Sequence, residues 1–325
     1  MDLPNLLARS YLWLDSWLDA LIAPSYTSLG YRVRRALMWD PTDLDVDLRG
    51  KVIAITGANS GIGFAAARAL AQRGAYVYLL ARSFERGEEA RRQLIVATRN
   101  PHIYFEQIDL SSLASVRACA DRLLAQTNRL DGLINNAGAE FRTRTVTIDG
   151  YEASFATNVL GPFLLTQRLL PLLKRGAPSR IVNVSSGGMY TAQLDVNDLQ
   201  FERKPFNHLA AYAQAKRAQV MLTELWAARL RKDGVSVNAM HPGWADTPIV
   251  RAGLPTFRKV IGRCLRTPDE GADTIVWLMA ARRVASITGE FWFDRRERAK
   301  HKTSQTHSPL DDYRCLWETC ERLTQ

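Results

Sequence analysis

The stretch "KVIAITGANSGIGFAAARALAQRG", residues 51 to 74, leaves a chain little freedom. A β-branched apolar run enters a turn with three glycines, Gly57, Gly61 and Gly63, and a helical pattern comes next and stops at Gly74. A strand that runs through such a turn into a helix brings bare backbone N–H groups and a helix N-terminus to one point. That point favours an anion such as a pyrophosphate. Gly57 would serve the turn, Gly61 the close approach of ligand and Gly63 the packing of helix on strand. Taken alone, the same residues also read as a tight turn without a ligand.

The rest of the chain removes much of that ambiguity. Further short β-branched runs, "AYVYLLA" (75–81), "IYFEQID" (103–109), "DGLINN" (131–136), "RIVNVSS" (180–186), "VSVNAMH" (235–241) and "ITGEFWF" (287–293), alternate with helical patterns. This alternation predicts an α/β fold with a parallel sheet covered by helices on both faces. "TPDE" (267–270) is a capping box with proline at the first helical turn. For 325 residues, 46% of them hydrophobic, one large core is expected.

Five motifs then stand in a telling order: TGxxxGIG at Thr56 to Gly63, NNAG at Asn135 to Gly138, a serine after the fifth strand at Ser186, YxxxK at Tyr212 to Lys216, and PGxxxT at Pro242 to Thr247. In this order they resemble the short-chain dehydrogenase/reductases, over about residues 49 to 294. "SSGGM" (185–189), "NDLQFERKPF" (197–206), "YAQAKRAQVMLTELWA" (212–227) and "MHPGWADTP" (240–248) are similar to a narrower group within that family, which shares a short N-terminal extension. The resemblance implies a single Rossmann-like doubly wound domain over 49–294, flanked by a helical extension at 1–48 and by a basic linker and amphipathic helix at 295–325.

It also implies hydride transfer between a nicotinamide cofactor and a carbonyl or secondary alcohol, with no metal. Thr56, Gly57, Asn59, Ser60, Gly61, Ile62 and Gly63 would hold the pyrophosphate. Asp109 and Leu110 would border the adenine, Asn135 and Ala137 the adenosine ribose, and Thr247 the nicotinamide carboxamide, with Gly138, Pro242 and Gly243 also binding the cofactor. Asp109 also reads as a plain cap for the residues from 110 onward. At the end of the second strand, where NAD-binding relatives carry an acidic residue that holds the ribose hydroxyls, this chain has Ala81 followed by Arg82. A guanidinium pairs with a 2′-phosphate that a carboxylate would repel, so NADP(H) is expected ahead of NAD(H).

Tyr212 and Lys216 stand one helical turn apart. A free phenol titrates near pH 10, and an ammonium beside it stabilises the phenolate. The resemblance makes Tyr212 the proton donor or acceptor, Lys216 the cation that tunes it and holds the nicotinamide ribose, and Ser186 the group that orients the reacting oxygen. Ser185 falls on the opposite face of the strand and is read as structural. Asn158 matches the family asparagine that holds a water linking the lysine to solvent. His241 reads as structural, and His208 as a residue of the substrate entrance. Met189, Tyr190, Trp244, Ile249, Leu254 and Phe257 make an apolar lining plausible, whereas Arg251, Arg258 and Arg263 leave room for an anionic group.

The formal charge is +10, but no array of Lys and Arg interleaved with stacking aromatics is present, so no nucleic-acid partner is expected. The densest basic cluster, "RRERAKHK" at 295–302, reads as a solvated segment. Four scattered cysteines fit a reducing, cytoplasmic setting. Residues 3 to 22 are expected to form an amphipathic helix with an acidic polar face. It could lie on a membrane, dock on the body or join a second subunit, and the acidic face favours docking.

Overall fold

The computed structural model describes residues 15–19, 21–246, 259 and 261–325. The N-terminal extension contributes a helical piece at 15–19, then α1 (Ile22–Tyr26) and α2 (Ser28–Met38). The body continues as β1 (Val52–Thr56), α3 (Gly61–Ala71), β2 (Tyr76–Ala81), α4 (Phe84–Thr98), β3 (Ile103–Gln107), α5 (Leu113–Gln126) and β4 (Gly132–Asn135). A short turn at Ala153–Phe155 passes through a π turn, Ala156–Leu160, into α6 (Gly161–Arg175). The chain closes with β5 (Ser179–Val184), α7 (His208–Leu230), β6 (Val235–Met240), α8 (Pro268–Ala280), β7 (Phe291–Phe293), β8 (Arg296–Glu297) and α9 (Leu310–Leu323).

The strands form one sheet in the order β3-β2-β1-β4-β5-β6-β7-β8, parallel except for the last pair. Strand residues alternate between two cores: Val52 and Ala54 pack with α5, α6, α7 and α9, while Ile53 and Ile55 pack with α3, α4 and α8. The order reverses between β1 and β4, so the loops leaving these two strands diverge and open a crevice at their carboxyl ends. The capping box is formed: Thr267 Oγ1 accepts from the Glu270 N–H at 3.2 Å, and Glu270 accepts from the Thr267 N–H at 3.0 Å. α9 belongs to the core, with Trp317 edge-on to Trp226 at 4.6 Å.

The extension docks on the body through a buried charge cluster. Asp15 is fully buried and accepts from Arg34 Nε at 2.6 Å, from Arg298 Nη1 and Nη2 at 2.7 and 2.8 Å, and from Arg296. Asp294 is shared between Arg34 and Arg266 at 2.6 to 2.8 Å. The expected solvated character of 295–302 is therefore corrected. Arg295 pairs with Asp273, Arg298 with Asp15, Lys300 with Glu224 and Glu290, and Lys302 with Asp19. The cluster has partners on three distant segments besides the nearby Glu290, and the distant ones are not visible as a local pattern.

Burial raises the Asp15 carboxyl, but hydrogen bonds and charge from Arg298, and then from Arg34, outweigh this and hold the group at about 2. A depressed carboxylate contributes stability that is fully present above its ordinary value of 3.8 and is lost as pH falls through about 2. Asp15→Asn keeps the shape and leaves two buried guanidinium groups short of charge. It is expected to cost about 3–5 kcal/mol in urea unfolding near neutrality, with the difference from the parent shrinking in acid. A cost below about 1 kcal/mol, the range of a surface pair, would show that the cluster does not hold the extension.

Candidate active site

Past Thr56 the chain turns through Gly57 and Gly61, both left-handed with φ of 66° and 56°. A Cβ on Gly63 would lie 2.4 Å from the Gly57 carbonyl oxygen, so α3 reaches the strand only because that side chain is absent. Gly57, Asn59, Ser60, Gly61, Ile62 and Gly63 line one end of a cleft of about 560 Å³. Such a cradle of bare backbone at a helix N-terminus fits a pyrophosphate.

Two motif residues stand behind the wall and do not line it. Thr56 is fully buried, and its Oγ1 accepts from the N–H groups of Asn136 and Ala137 at 3.0 Å each. Asn135 is 2% exposed and donates to Thr166 Oγ1 and Asn183 Oδ1. Both act on the cleft by fixing its lining residues Asn136, Ala137 and Gly138. Asn136, to which the motifs assign no role, donates from Nδ2 to the Thr56 carbonyl at 2.9 Å.

Beyond the glycine turn a second cavity of about 510 Å³ lies beside Arg82, Phe84, Phe105, Gln107 and Asp109. Its acids are engaged: Glu106 with Arg122 and Gln126, Glu88 with Arg91, and Asp109 with the Ser111 N–H and hydroxyl at 2.9 and 2.7 Å. Asp109 is thus a turn cap as well as a lining residue. Leu110 is 5% exposed and packs in the core, not in this cavity. Arg82 is exposed, and among the described residues its guanidinium has no partner.

At the other end of the cleft the two serines part, as strand alternation requires. Ser185 is buried and donates to the Lys216 carbonyl at 2.9 Å. Ser186 opens the 3₁₀ turn Gly187–Thr191, accepts from the Gly188 N–H at 3.1 Å and hydrogen-bonds Tyr212. α7 carries Tyr212, half-buried at the cleft, and Lys216, which is 2% exposed. Lys216 Nζ lies 5.5 Å from the Tyr212 ring centre and donates to the Val184 carbonyl at 2.9 Å and to Gln219 Oε1 at 3.1 Å. A Cβ on Gly138 would stand 3.0 Å from Asn158 Oδ1 and 3.3 Å from Lys216 Nζ, so the last glycine of NNAG makes room for the lysine.

Burial raises the Tyr212 phenol to about 12; the Ser186 hydrogen bond opposes this and the Glu140 charge adds to it. Burial alone lowers the Lys216 ammonium to about 7. Glu140 lines the cleft and is paired with His208 Nδ1 at 2.6 Å, which gives His208 a partner 68 residues away.

Asn158 lies in the π turn. Its Nδ2 donates to the carbonyls of Ala139 and Ser154 at 2.8 Å each, and its Oδ1 accepts from the Ala139 N–H at 3.1 Å. Its own carbonyl accepts from Gln219 Nε2 at 2.8 Å, and Gln219 Oε1 accepts from Lys216, so a side chain joins the π turn to the lysine.

Pro242, Gly243 and Trp244 close the cleft, and the Trp244 N–H donates to the Tyr26 carbonyl at 2.8 Å, which joins the extension to the site. His241 is buried, stacks on Phe293 at 4.0 Å and accepts at Nδ1 from the Gly243 N–H. Burial, with Arg266 and Arg298 beside it, lowers its pKa well below the usual value, which leaves it neutral and structural. Met189, expected in the lining, is fully buried with Val220, Ala239 and Phe291. Thr247, Ile249, Arg251, Leu254, Phe257 and Arg258 lie outside the described residues.

Residues 51–255 match the family model "short chain dehydrogenase". The human dehydrogenase/reductase SDR family member 12 is 39% identical over 98% of both chains. Human retinol dehydrogenase 13 is 36% identical over 84% of both. Among solved structures, RhlG of Pseudomonas aeruginosa in an active-site complex with NADP superimposes with a TM-score of 0.64 at 27% identity, covering 78% of this chain and 96% of that one. A glycine cradle at the switch point, with a serine, tyrosine and lysine at the far end of one cleft, accompanies these likenesses, and the chain belongs to the short-chain dehydrogenase/reductase family of nicotinamide-dependent oxidoreductases.

Proposed function

We propose that the protein is an NADP(H)-dependent carbonyl reductase or alcohol dehydrogenase for a hydrophobic substrate, with Ser186, Tyr212 and Lys216 as its catalytic groups. The convergence of these three at one end of the cleft, with the glycine turn at the other, carries the reading. A bound nicotinamide supplies or takes the hydride. The chain's own residues do the rest. The backbone from Gly57 to Gly63 holds the pyrophosphate and Arg82 the 2′-phosphate. The Ser186 hydroxyl orients the substrate oxygen, and the Tyr212 phenol gives or takes its proton.

Leu209, Ala213 and Trp244 line the reacting end and favour an apolar substrate. Relatives named retinol dehydrogenases agree with that class. The four cysteines are free, which supports a cytoplasmic location. Among the described residues no helix is long and apolar enough to cross a membrane.

A panel of aliphatic, aromatic and lipid-like aldehydes and ketones, assayed with NADPH and with NADH, tests the proposal. Oxidation of NADPH by at least one apolar member supports it, and a protein that binds NADPH yet turns over none of them would be a sensor instead. The serines give a sharper check. Ser186→Ala is expected to lower kcat by about 10²-fold, whereas Ser185→Ala, which loses only a bond to the Lys216 carbonyl, stays within about fivefold. The reverse order would move the reacting oxygen to the other hydroxyl.

A further inference from the structure

The geometry points to Gln219 as a positioning residue that holds the Lys216 ammonium and ties it to the π turn. The inference rests on the reading of Lys216 as the cation beside Tyr212. Gln219 is 4% exposed and lies one turn after Lys216 on the buried face of α7. Both ends of its amide are used, Oε1 by Lys216 Nζ at 3.1 Å and Nε2 by the Asn158 carbonyl at 2.8 Å. An ammonium can only donate and a carbonyl can only accept, so these partners fix the amide's orientation. A flipped amide would set donor against donor and acceptor against acceptor.

The Asn158 carbonyl lies one turn before Pro162, which has no N–H, so the α-helical partner of this carbonyl is missing. On the far side of Gln219 lies a cavity of about 20 Å³, walled by Asn135, Asn158, Thr166 and Asn183. It has room for about one water. Gln219 is itself braced, since its carbonyl accepts from Thr223 Oγ1 at 2.8 Å and Thr223 accepts from Asn183 Nδ2 at 2.8 Å.

Among the described residues Lys216 forms no ion pair, so two neutral acceptors, Gln219 Oε1 and the Val184 carbonyl, oppose the loss of its charge. The titratable groups on this side are Tyr212 on the same helix and, from the loop after β4, Glu140, whose charge reaches Tyr212 and which is paired with His208. β5 and the π turn present only uncharged groups, Val184, Ser185, Ser186 and Asn158. Removing the Gln219 oxygen should therefore shift the lysine down, and placing an anion there should shift it up.

The test is a pH titration of the Lys216 ammonium by NMR in the full-length protein labelled at lysine, assigned with Lys216→Arg. In Gln219→Glu the midpoint should rise by about one pH unit or more, and in the near-isosteric Gln219→Met it should fall by about half a unit. Fluorescence titration with NADPH should show binding by Gln219→Met weakened about threefold or more, the loss expected when a charged group is less well held. If Gln219→Met does not fold, Gln219→Glu decides alone. A midpoint within about 0.2 unit of the parent in either folded variant overturns the assignment, because a merely structural glutamine would lower stability without moving the lysine. The titration needs no turnover, so a failed substrate panel would remove the proposed reaction while leaving this result readable.

Discussion

Tyr212→Phe is expected to lose about 100-fold or more of carbonyl reduction, the range for removal of a general acid, while binding NADPH about as tightly as the parent. The ring that packs against the cleft remains, and only the oxygen hydrogen-bonded to Ser186 is gone. In the protein the phenol sits at about 12, raised by burial, and so keeps its proton across the neutral range. It is loaded to donate to a carbonyl oxygen that is gaining charge. Lys216 behaves oppositely. With burial holding its ammonium at about 7, its positive charge is present below that pH and lost above it. Reduction by the parent should therefore fall on the alkaline side first through Lys216, well before Tyr212 titrates. The kcat of both proteins, measured from pH 6 to about 10 on the best substrate of the carbonyl panel, together with NADPH binding by fluorescence, checks this. Turnover near the parent value in Tyr212→Phe would leave the phenol without a part in the reaction.

Legible and illegible features of the chain divide along one physical line. Features that close on themselves within a few residues were legible: the alternation that gives β1 to β7, the glycine turn, the capping box at Thr267 and the parting of Ser185 from Ser186. Features that need a partner far along the chain were not. Nothing near residue 15 announces that a buried aspartate will meet Arg298, and nothing in "RRERAKHK" tells a paired cation from a solvated one.

Glu140 and His208 meet across 68 residues, and Gln219 reaches Asn158 across 61. Only one signal for Gln219 was present, its place one turn after Lys216 on the same helix face. Motif matching also blurs contact and support. Thr56 and Asn135 match the pattern and hold lining residues in place, a role that the pattern does not separate from touching a ligand.

Arg82→Ala should weaken NADPH far more than NADH, because only NADPH carries a 2′-phosphate. A charge-assisted contact contributes about 1.5 to 3 kcal/mol, so the selective loss should be about 10- to 150-fold. The surroundings favour the upper part of that range. Glu106, Glu88 and Asp109 share the cavity but are engaged by Arg122, Arg91 and Ser111, so among the described residues no carboxylate competes for Arg82. Exposure works the other way, since salt screens an exposed guanidinium, and the loss should shrink as ionic strength rises. Ala81→Asp should go further than Arg82→Ala. Ala81 pairs in register with Gln107 at the last position of β2, next to this cavity, where a carboxylate would repel the phosphate and could accept from both ribose hydroxyls. Dissociation constants for both cofactors in both variants, at one fixed ionic strength, separate phosphate reading from general damage. Equal weakening of NADPH and NADH in Arg82→Ala would mean that Arg82 does not read the phosphate, and the choice of NADP(H) would lose its main support.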